Sequence, residues 1–141
     1  MSRGSLNRLV NGLAGGLAIV WAAPCSLLGL AVGAAALVSG GRGRRVGRIL
    51  EFHGGAARWL LEHFPGEPWA MTLGHTVLGR TAAALDISRD HERVHVRQYE
   101  RWGPAFLPAY LLASLWLWLV GRDPYRDNPF EVEAYRRTPE R

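Results

Sequence analysis

The sequence predicts an α+β protein in which an N-terminal transmembrane helix or helical hairpin precedes a small folded domain. Three observations support this expectation. Residues 9–39 contain no charged side chain, short β-prone stretches follow them, and charged amphipathic patterns typical of helices occupy much of the remainder. We therefore divide the chain into a membrane-embedded segment with a basic flank, 1–45, and a small domain of mixed helices and strands, 46–141.

The uncharged run is longer than the ~20 residues that a spanning helix needs, and its many Gly and Ala residues suit close helix packing. Three alternatives remain open: one long tilted helix, a hairpin that turns near Pro24, and a signal peptide cleaved after Ala23. The basic flank at residues 42–48 predicts a cytoplasmic location for that end of the run. The one cysteine, Cys25, lies inside the run and is expected to be packed rather than chemically active.

The domain is expected to begin with two strands and an intervening helix. Val46–Phe52 alternates as a strand does, and Ala56–Phe64 has the apolar spacing of a helix. Trp69–Leu78 is β-prone and is predicted to be one strand. One face of that strand would carry Met71, Leu73, His75 and Val77.

Three helices are expected in the last part of the chain. Asp86 and Ser88 offer capping oxygens for a helix that ends near Trp102, before a Gly-Pro pair. The uncharged run Pro104–Val120 could be a short span, an interfacial helix or a buried helix. Pro129 is predicted to be the first residue of a final short helix, because proline is favoured at that position.

The pentapeptide His91-Glu92-Arg93-Val94-His95 has the HExxH pattern. On a helix this spacing puts two imidazoles one turn apart on one face, where both can bind one zinc ion. The glutamate beside the first histidine can then act as general base on a water activated by that metal. Glu92 is therefore the candidate catalytic residue.

A helical wheel places both histidines on the inward half of their helix. That half is predicted to hold Ile87, His91, Val94, His95, Gln98, Tyr99 and Trp102. The outward half is predicted to hold Arg89, Asp90, Arg93, Arg97, Glu100 and Arg101. The arginines would form either a solvated face or a contact with anionic lipid.

A catalytic zinc of this class needs a third protein ligand. Glu131 and Glu133 are the two downstream candidates. Glu131 shares a face of the final helix with Ala134, whereas Glu133 falls beside Arg137 and can pair with it. Glu131 is thus the better candidate, and His91, His95 and Glu131 form the predicted metal site.

The segments HERVHVRQ and EVEAY resemble the gluzincin metallopeptidases, which carry HExxH on one helix and a glutamate on a later one. The likeness is to the membrane-bound branch of CAAX-processing and heat-shock proteases, and to small bacterial HExxH proteins of unknown function. Those proteases have Ala and Asp three and four residues after the glutamate. Here Ala134 matches, but Tyr135 stands in place of the Asp. The partner of a zinc-bound histidine is therefore unassigned.

This resemblance implies that residues 46–141 form a minimal zincin-like metallopeptidase domain, which uses zinc to hydrolyse peptide bonds. In such domains the strand before the HExxH helix binds an extended peptide or protein substrate. Trp69–Leu78 occupies the matching position. His75 could contact substrate or an oxyanion, or could simply be packed. Tyr125 and Tyr135 are further candidates for polarising the substrate carbonyl.

The remaining expectations concern partners and location. All 17 basic residues are arginine, yet no stretch combines them with a nucleic-acid-reading module, so no nucleic-acid partner is predicted. The apolar runs predict a membrane-lipid partner, in the bacterial inner membrane with the catalytic domain facing the cytoplasm. The alternative function is a zinc-stabilised small membrane protein without proteolytic activity.

Overall fold

The structure is a computed structural model that describes residues 3–139, and it confirms the α+β class. Helices make up most of the chain, and four short strands form one sheet. The elements in chain order are α1 Arg3–Val38, β1 Arg42–Val46, β2 Ile49–His53, α2 Gly55–His63, β3 Ala70–Leu73, β4 Thr76–Gly79, α3 Ala82–Trp102, a 3-10 turn Gly103–Ala105, α4 Phe106–Leu119 and α5 Pro129–Arg137.

The sheet has the strand order β1-β2-β4-β3, with β2 and β4 parallel and the other neighbours antiparallel. The predicted single strand Trp69–Leu78 is wrong, because the chain reverses at Gly74, where φ is +63°. A two-residue turn with positive φ matches the twist of a hairpin and is easiest for glycine. His75 lies in this turn, so the four residues predicted to share one face do not. The predicted strand Val46–Phe52 is likewise split, by a turn at Gly47.

Helices cover both faces of the sheet. On one face, α1 and α2 supply Ala36, Ala57 and Leu61 to a buried cluster with Phe52 and Leu78 of the strands. On the other face, residues of β3 and β4 pack against Leu85 and Val96 of α3. The predicted helix Ala56–Phe64 is confirmed as α2, shifted by one residue.

The N-terminal run forms one continuous helix with Pro24 inside it, so the helical hairpin is wrong. The helix packs unusually close to the sheet: a Cβ atom at Gly33 would lie 2.5 Å from the ring of Phe52. Only glycine allows this approach. Two helical stretches, Arg3–Val38 and Ala82–Leu119, are long and apolar enough to cross a membrane by length and composition alone. Arg45, the predicted end of the membrane segment, lies within β1.

The helix that bears the HExxH motif starts earlier than predicted. Thr81 is its N-cap, and its hydroxyl accepts a hydrogen bond from the backbone N–H of Ala84. Ser88 lies inside the helix instead. The C-terminal end at Trp102 is confirmed, and Gly103 reverses the chain there with φ +56°. Two residues of the predicted inward half are exposed, since Ile87 is 64% and Trp102 is 45% accessible.

A buried carboxylate fastens the β1–β2 hairpin to α3. Glu51 is 2% exposed and accepts hydrogen bonds from Arg44 at 2.6 Å and from Arg89 at 3.1 Å. Burial raises the pKa of Glu51, but the hydrogen bonds from Arg89 and Arg44 outweigh it, so the pKa is lowered. Arg89 therefore belongs to the packing between sheet and helix rather than to an outward arginine face.

The last helices close a second core cluster around the far end of α3. Tyr99 of α3, Phe106 of α4 and Phe130 of α5 meet Ala22 and Cys25 of α1 there. The expected packing of Cys25 is thereby confirmed. The start of the final helix is also confirmed, because Asn128 caps it through the N–H of Phe130 and Pro129 is its first residue.

Candidate metal centre

Helices α3 and α5 bring three predicted ligands together. The Nε2 atoms of His91 and His95 lie 3.2 Å apart, as expected for residues one turn apart on one helix face. The Glu131 carboxylate reaches across from the first turn of α5. Its Oε2 lies 3.1 Å from Nε2 of His91, and its Oε1 lies 3.4 Å from Nε2 of His95.

The separation of the two Nε2 atoms fits a tetrahedral metal site, and each histidine lies near one oxygen of the Glu131 carboxylate. Zinc–ligand bonds of about 2.0–2.1 Å at tetrahedral angles put neighbouring donor atoms about 3.3 Å apart. Two imidazoles and one carboxylate suit zinc and several other divalent ions. Among the described residues 3–139, these three side chains form the only cluster of three or more potential metal ligands. Three protein donors would leave one position of a tetrahedral ion open.

The carboxylate of Glu131 is held from two sides. Tyr110 of α4 donates a hydrogen bond to its Oε1 atom at 2.7 Å, and the side chain is 4% exposed. Burial raises the pKa of Glu131, but hydrogen bonds from His91 and His95 outweigh it and bring the pKa to about 2. The side chain is therefore ionised at neutral pH, as a metal ligand must be.

Glu133, the alternative third ligand, has other partners. Its carboxylate contacts Arg101 at 2.7 Å and Arg137 at 3.0 Å, so the predicted pair with Arg137 is confirmed. It also accepts a hydrogen bond from Gln98 at 2.9 Å. These contacts turn Glu133 away from the histidines.

Gln98 is the residue that sequence reasoning left without a role. Its side chain is fully buried, and its NH₂ group donates to the backbone carbonyl of Phe130 and to the carboxylate of Glu133. Its amide oxygen must then face Nδ1 of His95, 2.8 Å away. Because that oxygen only accepts, Nδ1 carries a hydrogen, which leaves Nε2 as the nitrogen that can bind a metal once its own proton is lost. A buried amide three residues after the second histidine was the available signal.

Replacing Gln98 with leucine is expected to lower zinc affinity about 10–100-fold, because His95 loses the acceptor that fixes its tautomer and ring orientation. Competition with a chromophoric chelator measures the affinity, and circular dichroism checks that the helices persist. Glu133→Gln is the matched control, since it leaves an acceptor for Gln98 and should bind zinc normally. Equal affinities of the Gln98→Leu variant and the parent protein would remove Gln98 from the site.

Glu92 lies beside the ligands and contacts the sheet. Its side chain is buried, and the hydroxyl of Thr72 on β3 donates a hydrogen bond to Oε2 at 2.6 Å. The carboxylate also interacts electrostatically with the His95 imidazole. The edge strand β3 is thus adjacent to the candidate general base. The sequence gives no local signal for Thr72, because its contact with Glu92 depends on how β3 packs against α3.

Two partly exposed tyrosines lie near the centre. The Tyr135 ring packs against His91 with centroids 4.6 Å apart, and its hydroxyl lies 3.5 Å from that of Tyr125. Both side chains are about half exposed. His75 lies elsewhere: it is 8% exposed, and its Nε2 atom is 2.9 Å from Glu100, on a different side of α3 from the two histidines.

No protein-family model matches the sequence, and neither a curated protein nor a solved structure does. The likeness to gluzincins therefore depends on the motif residues alone.

Proposed function

We propose that the protein is a zinc-dependent metallopeptidase of gluzincin type that acts at a membrane surface. The observation that carries the proposal is the group of two imidazoles and one carboxylate, in which each histidine Nε2 lies 3.1–3.4 Å from the other and from one carboxylate oxygen. Glu92 follows the first of these ligands in the chain. His91, His95 and Glu131 would hold the metal. A zincin-like arrangement of the domain is part of the same proposal, supported by the motif helix lying beside an edge strand.

Zinc bound there would supply Lewis acidity to a water molecule and to the substrate carbonyl. Glu92 accepts a proton from the attacking water while the water oxygen forms a bond to the carbonyl carbon. The same residue then returns the proton to the leaving nitrogen while the C–N bond breaks. The hydroxyl of Thr72 holds the carboxylate in place during both transfers. Tyr125 and Tyr135 are proposed as donors to the carbonyl oxygen.

The substrate is proposed to be an extended peptide that pairs with β3. Alternate residues of an antiparallel strand point their N–H and C=O groups away from the neighbouring strand. Since Leu73 and Thr76 flank the two-residue turn, this alternation leaves Ala70 and Thr72 with outward backbone groups. An added strand there would run past Thr72 and hence past Glu92.

The location is proposed to be the bacterial inner membrane, with the centre on the cytoplasmic side. The exposed apolar residues of α4 support a lipid contact, because a soluble surface rarely leaves so many uncovered. They are Leu111, Leu112, Leu115, Trp116, Trp118 and Leu119. The arginines of residues 42–48 support the cytoplasmic side.

A second candidate is a zinc-stabilised membrane protein without proteolytic activity. The burial of the ligands favours it, because the side chains of His91, His95 and Glu131 are only 12%, 8% and 4% exposed. A structural zinc site is closed in this way, whereas a catalytic one keeps an open position. The presence of three protein donors favours the peptidase, because the fourth position of a tetrahedral zinc is then left for water.

The direct test of metal binding uses the purified full-length protein. We expect one zinc per chain by mass spectrometry of the metal, loss of peptidase activity on chelation, and recovery on adding zinc back. A mixture of unfolded and membrane-derived polypeptides serves as the substrate. Zinc that is present and stabilising without any cleavage supports the second candidate. A chain purified without stoichiometric metal that also fails to bind added zinc contradicts both.

A further inference from the structure

Helix α1 has two faces of different character. The inner face packs on the domain through a line of small residues, which are Ala22, Cys25, Gly29, Gly33 and Ala36. At 100° per residue, the opposite side carries another line, which we call the outer stripe. Its exposed members are Leu6, Leu9, Val10, Leu13, Leu17, Val20, Leu27, Leu28 and Val38, each at least 46% accessible.

The outer stripe is long and without charge. From Leu6 to Val38 it extends roughly 48 Å at 1.5 Å per residue. Between Leu6 and Val38 the one charged residue is Arg8. On a helical wheel Arg8 falls on the side that faces the domain, away from the outer stripe. Monomeric soluble proteins rarely expose an apolar surface of this extent.

The contacts between the domain and α1 make it unfavourable for α1 to span a bilayer. Arg48, at the tip of the β1–β2 hairpin, donates a hydrogen bond to the backbone carbonyl of Gly15 at 3.2 Å and lies 3.4 Å from Glu100. Charged groups of the domain therefore reach α1 at Gly15. Only residues 9–14 separate that point from Arg8, which is about 9 Å of helix.

A bilayer core is about 30 Å thick. A crossing helix would therefore have to draw the Arg48–Glu100 pair and part of the sheet into hydrocarbon, which is strongly unfavourable. Helix α4, at 14 residues or about 21 Å, is also shorter than the core.

We propose that α1 lies in the plane of the membrane surface, with the outer stripe immersed in one leaflet and the domain above it. The occupant of the stripe is lipid. The charges at its two ends support this choice, because Arg3 and Arg8 lie at its N-terminal end and Arg42 and Arg45 follow it. An in-plane helix places both basic ends among the phosphates of one leaflet. A single crossing would place them on opposite sides, against the positive-inside tendency.

Spin labels on the outer stripe test this orientation in the full-length chain. In a Cys25→Ala background, single cysteines at Leu9, Leu17, Leu28 and Val38 carry a nitroxide, and the protein is bound to vesicles of phosphatidylcholine and phosphatidylglycerol. Collision with oxygen and with a water-soluble nickel chelate gives the depth of each label. We expect all four labels at one shallow depth in the outer leaflet.

Other depth patterns overturn the proposal. Depths that pass through the bilayer centre between Leu9 and Val38 establish a crossing helix. Labels shielded from both reagents, together with a doubled mass, establish a second copy on the stripe. Labels that meet the nickel chelate equally with and without vesicles exclude membrane contact. None of these readings depends on zinc or on peptide cleavage, so they are separate from the test of the proposed function.

A pair of charge substitutions gives an independent readout by vesicle flotation. Val20→Arg, at a stripe position 71% exposed, should weaken vesicle binding about tenfold, since one buried apolar side chain is lost. Ile87→Arg is the matched control, because Ile87 is 64% exposed but lies on α3, on the other face of the sheet. Equal losses in both variants, or none in Val20→Arg, contradict an immersed stripe.

Discussion

Glu131→Gln is expected to lower zinc affinity by more than about 100-fold, beyond the effect of altering a residue that merely orients a ligand. The neutral amide is a weak metal donor, whereas the carboxylate is ionised at neutral pH because its pKa is about 2. The substitution is nearly isosteric, so Tyr110 can still donate its hydrogen bond to the amide oxygen. Zinc titration of the metal-free protein, followed by competition with a chelator, measures the change.

Glu133→Gln is the control for this prediction. It removes the same charge from the same helix, two residues away, but Glu133 contacts Arg101 and Gln98 rather than the histidines. We expect parent-like zinc binding. If Glu133→Gln lost the metal and Glu131→Gln kept it, the third ligand would be the other glutamate and the helix would be turned relative to this structure.

The elements with strong local signals were predictable from the sequence. The Asn128-Pro129 start of α5 and the glycine that ends α3 follow from backbone chemistry that tertiary contacts rarely override. The strands were not, because a glycine such as Gly74 can continue a strand or reverse it, and only pairing with β2 selects the hairpin. Capping oxygens recur along residues 81–88, so the sequence alone does not distinguish Thr81 from Asp86 as the start of α3.

The candidate site divides in the same way. The spacing of His91 and His95 is a local property of one helix, so the sequence predicts it directly. The choice of Glu131 depended on which face of α5 turns inward, which a short amphipathic helix still indicates. Thr72 lies 20 residues before Glu92 in the chain, and Tyr110 lies 21 residues before Glu131. Their hydrogen bonds to Glu92 and Glu131 depend on how β3 and α4 pack, which no local pattern encodes.

Gln98 also accounts for a difference between this site and the proteases that the motif segments resemble. Those carry an Asp four residues after the glutamate ligand, at the position of Tyr135 here. In this protein Tyr135 packs against the His91 ring, and the hydrogen-bond acceptor for His95 comes from its own helix, three residues on. A neutral amide polarises an imidazole less than a carboxylate does, so Gln98 chiefly fixes orientation and tautomer.

Glu92→Gln is expected to reduce peptide hydrolysis about 10²–10⁴-fold, equivalent to about 3–5 kcal/mol in the activation barrier, while zinc binding is unchanged. The amide can still accept the hydrogen bond from Thr72, so the fold around β3 is retained, but it takes no proton from water. The loss should fall on kcat at saturating substrate. Steady-state cleavage assays, with zinc content determined on the same samples, measure both quantities.

Thr72→Val provides the graded comparison for Glu92→Gln. It leaves the carboxylate in place and removes only the hydroxyl that holds it at 2.6 Å, so a smaller loss of activity and normal zinc content are expected. If Glu92→Gln hydrolyses peptides as fast as the parent protein, Glu92 is not the general base. If the parent protein binds zinc but cleaves no peptide, and Glu92→Gln changes only the free energy of unfolding, the centre is structural. The burial of Glu92 then reflects its bond to β3 rather than proton transfer.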